Sequence, residues 1–406
     1  LSFLTKAQTN DLTYVGNGAE MTITPEVVYS VIGGKMTIVG TGKITNSGNV
    51  MIVNTPWSNS GFRTLTTAGL PKTDGGNFIL KMYDANLSNL KYGQLYIAAP
   101  QPNITGIVDK EYKDNHHGSY QQIAMPFWQK KASELSAELL SSGHTFKFGA
   151  GNRANRYSGE AIMVYSSENA VFWDLAATDL LYPKEYYILG TKNFNASAAV
   201  KTIKGVPFGG SMVTNIPPGG ILSSSVVFGT GGKNQNIFRE RYNTYIQDQW
   251  HMANFGPGSE WTGDFGKNIL MLGNVYLTNL DLINQLPHMT NNDILGLRMD
   301  PGTVTTASGG GTQSTGAKNV TYTAAGVPSG DVTEIIKPMQ TFVLKFRNNN
   351  AQTLNFWNGR RFAYTARPYL ATPKVTSRGS AGSLKQLGVI ALDEHGNEPV
   401  SYTYLT

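Results

Sequence analysis

The chain of 406 residues has no cysteine and carries little charge. Without cysteine, disulfide bonds, thiolate metal sites and a cysteine nucleophile are all excluded. Charged residues make up 15% of the chain, whereas an average globular protein has about 25%. Long hydrophobic runs are also missing. A membrane-spanning helix needs ~20 consecutive apolar residues, and we therefore expect no membrane insertion.

Basic residues outnumber acidic ones, 33 to 27, for a formal net charge of +6. A nucleic-acid-binding domain clusters its basic residues among exposed aromatic side chains. Here they are scattered, with small groups such as Lys130-Lys131 and Arg360-Arg361. We therefore predict no nucleic-acid partner. A mildly basic solvated surface and an attraction to acidic polysaccharide or to an anionic cell surface both remain open.

The common catalytic motifs are absent as well. The sequence has no G-x-S-x-G elbow, no H-E-x-x-H zinc pair, no P-loop and no strand followed by G-x-G-x-x-G. His116-His117 lies in a polar segment and the other histidines are isolated. We predict a non-enzymatic protein with no metal and no cofactor. A glycoside hydrolase stays open as a third hypothesis, because its two carboxylates can be far apart in sequence.

The chain is rich in glycine, tyrosine and phenylalanine, with 45, 20 and 17 residues respectively. This composition is typical of many short strands joined by tight turns, and it predicts an all-β fold. Near the N-terminus, short apolar segments alternate with turns rich in Gly and Asn, which tolerate positive φ. The predicted strands are 12–15, 21–23, 27–32, 36–39, 43–45 and 49–53. This spacing fits a β-solenoid or a β-sandwich; we favour a solenoid-like or meander start because of the segment 40–49, whose resemblance is described below.

Three domains are predicted. An N-terminal solenoid-like domain covers residues 1–110, and two β-sandwich domains of jelly-roll or immunoglobulin-like type cover 111–265 and 266–406. The first boundary is placed where Pro100, Pro102 and the polar run 110–117 interrupt the strands. The last domain carries an insert rich in Gly, Thr and Ser, 300–331, which we interpret as a flexible loop or an arm held by a neighbouring molecule.

One or two short helices are expected within this β-protein. Residues 131–140 carry apolar side chains on one helical face, and 280–286 is a second, briefer candidate. In the segment 341–346, every second residue is Phe or Leu. This pattern predicts a half-buried strand with one apolar face.

Several segments resemble a known group of proteins. The strand from Ile335 to Phe346 with Arg360-Arg361, the turn 40–49 and the closing hairpin 387–402 are similar to segments of Bacteroidota proteins exported by the type IX secretion system. A further segment that begins at Gly273-Asn274 is similar to a sequence motif of that group, except that Val275 occupies a position at which the group has proline. The resemblance implies an extracellular or cell-surface β-protein, commonly structural or adhesin-like.

Aromatic residues are concentrated between residues 242 and 265, among glycine and proline. The candidate contact residues for a partner or a glycan are Tyr242, Tyr245, Trp250, Phe255 and Trp261. Such side chains fill the core of their own domain, contact a neighbouring subunit or stack on sugar rings, and all three interpretations remain open.

The first functional hypothesis is a self-assembling subunit of a surface fibre, sheath or layer, or a part of a cell-surface adhesin. Its partners would be copies of itself in a homo-polymer. Many strands and little charge suit edge-to-edge pairing between copies. The candidate assembly arm is formed by Leu1, Ser2, Phe3 and Leu4. The alternative is a glycan-binding surface module that contacts extracellular polysaccharide through Trp250 and Trp261.

Overall fold

The computed structural model describes most of the chain, and the structural statements below concern that part. The described residues are 11–25, 27–53, 60–84, 91–113, 120–140, 146–148, 160–166, 171–190, 200–209, 269–299, 304–306, 312–314, 318–346, 354–356, 359–361, 387–389 and 403–405. Strands dominate these residues, and the α-helices among them are two short ones. The predicted all-β class is confirmed.

The first part of the chain winds into a parallel β-solenoid with three faces, and each turn adds one strand to each of three sheets. The first turn consists of β1 (Asp11–Val15), β2 (Glu20–Ile23) and β3 (Val28–Ile32), and the second of β4 (Lys35–Val39), β5 (Lys43–Asn46) and β6 (Asn49–Val53). The third consists of β7 (Gly61–Leu65), β8 (Phe78–Leu80) and β11 (Gln94–Ala98). A hairpin of β9 (Met82–Asp84) and β10 (Lys91–Tyr92) is inserted before β11. The predicted solenoid is confirmed, and the predicted strands match β1 to β6.

Apolar side chains fill the interior of the solenoid and stack from one turn to the next. Met36 of β4 pairs with Phe62 of β7, and Ile44 of β5 pairs with Phe78 of β8; all four are fully buried. The rings of Phe62 and Phe78 meet edge to face, with 5.3 Å between their centroids. Since alternate residues of a strand point to opposite faces, the period-two pattern of the sequence specifies this core.

Gly93 lies where the chain passes closest to the preceding turn. A Cβ atom there would lie 1.9 Å from the carbonyl oxygen of Asn46, which accepts a hydrogen bond from the amide of Lys81 at 2.8 Å. We expect Gly93→Ala to lower the free energy of unfolding by roughly 3 kcal/mol, because the backbone must move. Urea unfolding measures this. The control is Gly16→Ala, whose Cβ would meet only the Tyr14 ring, at 3.4 Å; equal losses would contradict the argument.

The chain then leaves the solenoid and builds further sheets on it. After a 3₁₀ turn (Gln101–Asn103) come β12 (Val108–Tyr112), β13 (Tyr120–Ile123), β14 (Phe127–Trp128), β15 (Lys130–Lys131), α1 (Ala132–Leu140), β16 (Ile162–Ser166), β17 (Val171–Asp174), β18 (Leu180–Leu181), β19 (Tyr187–Gly190) and β20 (Lys201–Pro207). Later come β21 (Ile269–Gly273), β22 (Asn279–Leu280), α2 (Leu286–Met289), β23 (Ile294–Met299), β24 (Val304–Thr306), β25 (Thr312–Ser314), β26 (Lys318–Tyr322), β27 (Pro328–Gly330), β28 (Thr341–Phe346), β29 (Arg360–Arg361), β30 (Leu387–Val389) and β31 (Thr403–Leu405).

Two antiparallel sheets follow the solenoid, in the orders β13-β19-β16-β17 and β21-β28-β23-β26-β27. One apolar cluster draws on both sheets, combining Met163 and Ile188 of the first with Met271 and Val343 of the second. The arrangement is sandwich-like. The predicted domain boundaries at residues 110 and 265 stay predictions.

The helix predicted over 131–140 is confirmed as α1. The carboxylate of Glu134 accepts a hydrogen bond from the amide of Lys131 at 3.1 Å, which satisfies one free amide at the start of the helix. Ala132, Leu135 and Leu139 are buried and belong to the same apolar cluster as the solenoid interior. The second predicted helix is displaced, because 279–280 forms β22, paired with β29, and α2 begins only at Leu286.

Three other predictions need correction. Strand 341–346 is present as β28, but all of its residues are buried, because it lies between β21 and β23 with a cluster on each face. The polar run after residue 110 does not interrupt the strands at its start, since 110–112 belong to β12. The insert 300–331 is not simply a flexible loop, because 318–322 and 328–330 form β26 and β27 of the five-stranded sheet.

Candidate functional site: the open end of the solenoid

The two ends of the solenoid differ. At its start, β1, β2 and β3 are each the last strand of their sheet, and in the described part of the chain no strand pairs with their outer sides. The strand β31 lies near β3 without pairing with it. We call this surface, formed by β1, β2 and β3, the open end. An unpaired strand edge is a template for pairing with another chain.

The opposite end is covered on all three faces. Thr105 and Gly106 donate their amides to the carbonyl of Phe62 on β7, both at 2.9 Å. The edge of β8 is covered by β12, which in turn pairs with β20. On the third face, the amide of Leu95 in β11 donates to the carbonyl of Leu277 at 3.1 Å. A further copy that stacked on this end by strand pairing would have to displace β12 and these contacts at Phe62 and Leu95.

The hydrogen bonds to the second turn show which groups of the open end point outward. The carbonyls of Ala19 and Ile23 accept bonds from the amides of Lys43 and Ser47, at 2.9 and 2.8 Å. Because neighbouring residues of a strand point their backbone groups to opposite sides, the amide and carbonyl of Thr22 point away from β5. Thr22 is exposed.

The same reasoning applies to β3. The carbonyl of Val27 accepts from the amide of Asn49 at 2.8 Å, and the amide of Gly33 donates to the carbonyl of Val53 at 3.0 Å. The amide of Ser30, which lies at an even position between them, points away from β6. The open end therefore presents outward-directed donors and acceptors on more than one of its strands.

Apolar side chains accompany these free backbone groups. Leu12 and Tyr14 of β1 are 46% and 47% exposed, and Ile32 at the end of β3 is 54% exposed. Scattered exposed apolar residues are normal on protein surfaces. Their concentration in the first turn, beside free strand edges, is the feature that favours a partner.

A polar network holds the first turn in place. Arg63 on β7 donates to Asp11 Oδ2 on β1 at 2.8 Å, and its Nε donates to the hydroxyl of Thr37 on β4 at 2.7 Å. The hydroxyl of Thr37 in turn donates to Asp11 Oδ1 at 2.8 Å. Inside the turn, the hydroxyls of Thr13 and Tyr29 lie 2.9 Å apart and connect β1 to β3. The open end is thus a pre-ordered edge, and ordering it on binding costs little conformational entropy.

Two neighbouring buried ionisable residues, Asp109 and Lys110, lie on β12 at the covered end. Burial lowers the pKa of Lys110 to about 7, against an opposing effect of Glu111. Burial also raises the pKa of Asp109, whose Oδ2 accepts the amide of Gly76 at 3.0 Å. The described residues contain no group of three His, Asp or Glu side chains placed to hold a metal ion. None of the helices in the described part has the length and hydrophobicity of a membrane span.

The site residues predicted from the sequence are not placed by the structure. The aromatic residues Tyr242, Tyr245, Trp250, Phe255 and Trp261, like Leu1, Ser2, Phe3 and Leu4, lie outside the described residues. Sequence reasoning did not identify the open end as a site. The polar residues Glu20 and Thr22 of β2 gave no signal, because the inner strand β5 has Lys43 and Thr45 at the corresponding positions.

Comparisons with known proteins place the chain in no family: no family model, no curated protein and no solved structure matches it.

Proposed function

We propose that this protein is a non-enzymatic structural subunit that associates with copies of itself through the open end of its solenoid. The observation that carries the proposal is the contrast between the two ends. One end is covered by β12, β20 and the segment around Leu277, while the other leaves three strand edges unpaired in the described part of the chain. Its location, at the cell surface or outside the cell, is proposed from the sequence resemblance alone.

The covered end restricts how copies can associate. Head-to-tail stacking of solenoids needs free strand edges at both ends, whereas at the covered end β12 pairs with β8 and later residues bond to Phe62 of β7 and Leu95 of β11. The open end must therefore receive an extended segment of another copy or the open end of another copy. Strand addition of this kind gains affinity from backbone hydrogen bonds and specificity from alternate side chains. The segment that precedes β1, with Leu1, Phe3 and Leu4, is the donor that we assign.

Electron microscopy of the purified full chain at increasing concentration tests this function, with sedimentation velocity to quantify the species. We expect filaments or sheets for the wild type. A variant lacking residues 1–10 is expected to stay folded by circular dichroism and to remain monomeric. Wild-type protein that stays monomeric at all concentrations would overturn the proposed self-association. Assembly retained by the truncated variant would exclude the arm as donor and leave open-end to open-end pairing.

A further inference from the structure

One short sequence motif is present at two distant places in the chain. Residues 66–71 read Thr-Thr-Ala-Gly-Leu-Pro, and residues 323–328 read Thr-Ala-Ala-Gly-Val-Pro. Each copy begins at the residue that follows a strand, β7 in the first case and β26 in the second. We call the two segments the first and the second T-A-G-P hairpin.

The first hairpin has a tight three-residue loop. The amide of Thr66 donates to the carbonyl of Leu70 at 2.7 Å, and the amide of Gly69 donates to the carbonyl of Thr66 at 2.9 Å. The hydroxyl of Thr66 accepts the amide of Leu70 at 3.2 Å. Gly69 has a φ of 80°, which is the left-handed conformation that the last position of such a loop requires.

The second hairpin repeats these hydrogen bonds. The amide of Thr323 donates to the carbonyl of Val327 at 3.0 Å, and the amide of Gly326 donates to the carbonyl of Thr323 at 2.9 Å. The hydroxyl of Thr323 accepts the amide of Val327 at 3.1 Å, and Gly326 has a φ of 78°. The geometry of the loop accounts for the shared threonine and glycine. It does not account for the shared proline, which lies beyond the loop.

The proline of the first hairpin points its backbone away from β7. Its two neighbours bond back to the outgoing arm: the carbonyl of Leu70 accepts the amide of Thr66, and the amide of Lys72 donates to the carbonyl of Thr64 at 2.9 Å. Because neighbouring residues of a strand direct their backbone groups to opposite sides, Pro71 faces outward. Pro71 is also exposed.

Pro328 of the second hairpin has the same direction. The carbonyl of Val327 and the amide of Asp331 both bond back to the preceding arm, each at 3.0 Å. Pro328 and Gly330 therefore face away from β26. Gly330 has a φ of 99°, which interrupts the extended strand, and its carbonyl already accepts the amide of Val332 at 2.9 Å.

Both hairpins lie at the end of a sheet. β7 is the last strand of the sheet β1-β4-β7, and β27 is the last strand of the five-stranded sheet. The carbonyl of Leu65 accepts the amide of Gly40 on the side of β4, at 2.8 Å. The neighbouring carbonyl of Thr64, which receives the returning arm, therefore lies on the opposite side. The first hairpin thus covers the outer edge of β7, as the second covers that of β26.

The residue before each proline makes such an edge attractive to other chains. Leu70 is 64% exposed and Val327 is 58% exposed. An apolar sheet edge with free amides is a site of association with another chain. Proline has no amide to donate, and it is tolerated at an edge position that faces outward.

We propose that the two T-A-G-P hairpins are edge terminators, which close β7 and β26 to the addition of a strand from another chain. In the sheet β1-β4-β7, the first hairpin closes the edge opposite to β1 and so directs strand addition to the open end. The terminators act on any extended partner, and they therefore do not depend on self-association through the open end.

The test restores the two missing amides. Pro71→Thr and Pro328→Thr are combined in the variant that lacks residues 1–10, which the proposed function expects to be monomeric. Threonine favours strands. We expect the apparent dissociation constant for self-association in sedimentation velocity to fall by roughly tenfold or more, because each added edge gains one or two backbone hydrogen bonds.

The matched control places threonine at neighbouring positions of the same returning arms, as Lys72→Thr with Ser329→Thr. The amide of Lys72 already donates to Thr64, and Ser329 faces β26 by the same alternation. This control should associate no more than its parent. Circular dichroism establishes that all of these variants are folded.

Two results would overturn the proposal. One is a folded double Pro→Thr variant that associates no more than its parent. The other comes from hydrogen exchange in the dilute monomer, where the new amides at positions 71 and 328 should exchange freely; protection there would show that these positions face inward. Wild-type protein that never associates would overturn the proposed function alone, because the change caused by the Pro→Thr pair is measured against its own parent.

Discussion

Replacing Glu138 by leucine is expected to lower the free energy of unfolding by roughly 3–5 kcal/mol, the typical loss when one partner of a buried ion pair is removed. The side chain of Lys130 is 2% exposed, and its Nζ donates to Glu138 Oε1 at 2.8 Å and to the carbonyl of Lys204 at 2.6 Å. Glu138 Oε2 also accepts the amide of Lys204 at 3.2 Å. The pair therefore fastens α1 to β20, the strand next to β12 at the covered end.

A double variant distinguishes the pair from its separate members. Burial lowers the pKa of Lys130 and raises that of Glu138, and in both cases it outweighs the attraction between them. Replacing both by apolar residues, Lys130→Met with Glu138→Leu, should therefore cost less than Glu138→Leu alone. Denaturant unfolding of the three variants measures this. A single-variant loss below about 1 kcal/mol, or a double variant that is less stable than Glu138→Leu, would contradict a buried coupled pair.

Proline on the open end is expected to abolish self-association while leaving the monomer folded. The amides of Thr22 and Ser30 point away from the second turn, so Thr22→Pro with Ser30→Pro removes no hydrogen bond within the solenoid. Proline is tolerated on an edge strand whose amide faces outward, and it removes a donor that an added strand would use. Sedimentation velocity at the highest soluble concentration should show only monomer.

Alanine at the same two positions is the matched control, because Thr22→Ala with Ser30→Ala removes the side chains and keeps both amides. This variant should associate as the wild type does. If the proline variant still associates to the wild-type extent, the contact between copies does not use these edges. If the alanine variant is also monomeric, the side chains rather than the backbone carry the contact.

Much of the local structure could be predicted from the sequence. The strands β1 to β6 and helix α1 follow from short-range patterns: period two in the strands, and apolar residues on one face in the helix. Parallel stacking could not be predicted with the same precision. On the side away from β2, β5 pairs with β8, and the long connection 66–77 separates β7 from β8. No short-range pattern specifies pairing across such a distance.

Burial of polar residues was the main source of error. The polar run that begins at Lys110 was predicted to interrupt the strands, and lysine is indeed almost never fully buried. In the structure the first residues of that run form β12, where Ile203 and Leu80 flank Lys110 on the two neighbouring strands. Similarly, Lys345 alternates with Phe in β28 and suggested an exposed face, yet it is buried. Tertiary packing of a central strand overrides its local pattern.

The candidate site is formed by strands with no paired neighbour on their outer side in the described part of the chain, and the sequence does not show which strands lie at the edge of a sheet. β2 and β5 have similar short polar and apolar sequences, Glu20–Ile23 and Lys43–Asn46. Only the pairing order distinguishes the edge strand from the inner one. Self-association stays a prediction from composition and resemblance, and the sequence does not indicate which surface would carry it.

The most direct test of the central claim is hydrogen exchange at the amide of Thr22 as a function of protein concentration. If copies pair through the open end, this amide exchanges freely in the dilute monomer and becomes protected as complexes form. The neighbouring amide of Met21, which points toward β5, should be protected at all concentrations. Assembly without any added protection at Thr22 would contradict the account.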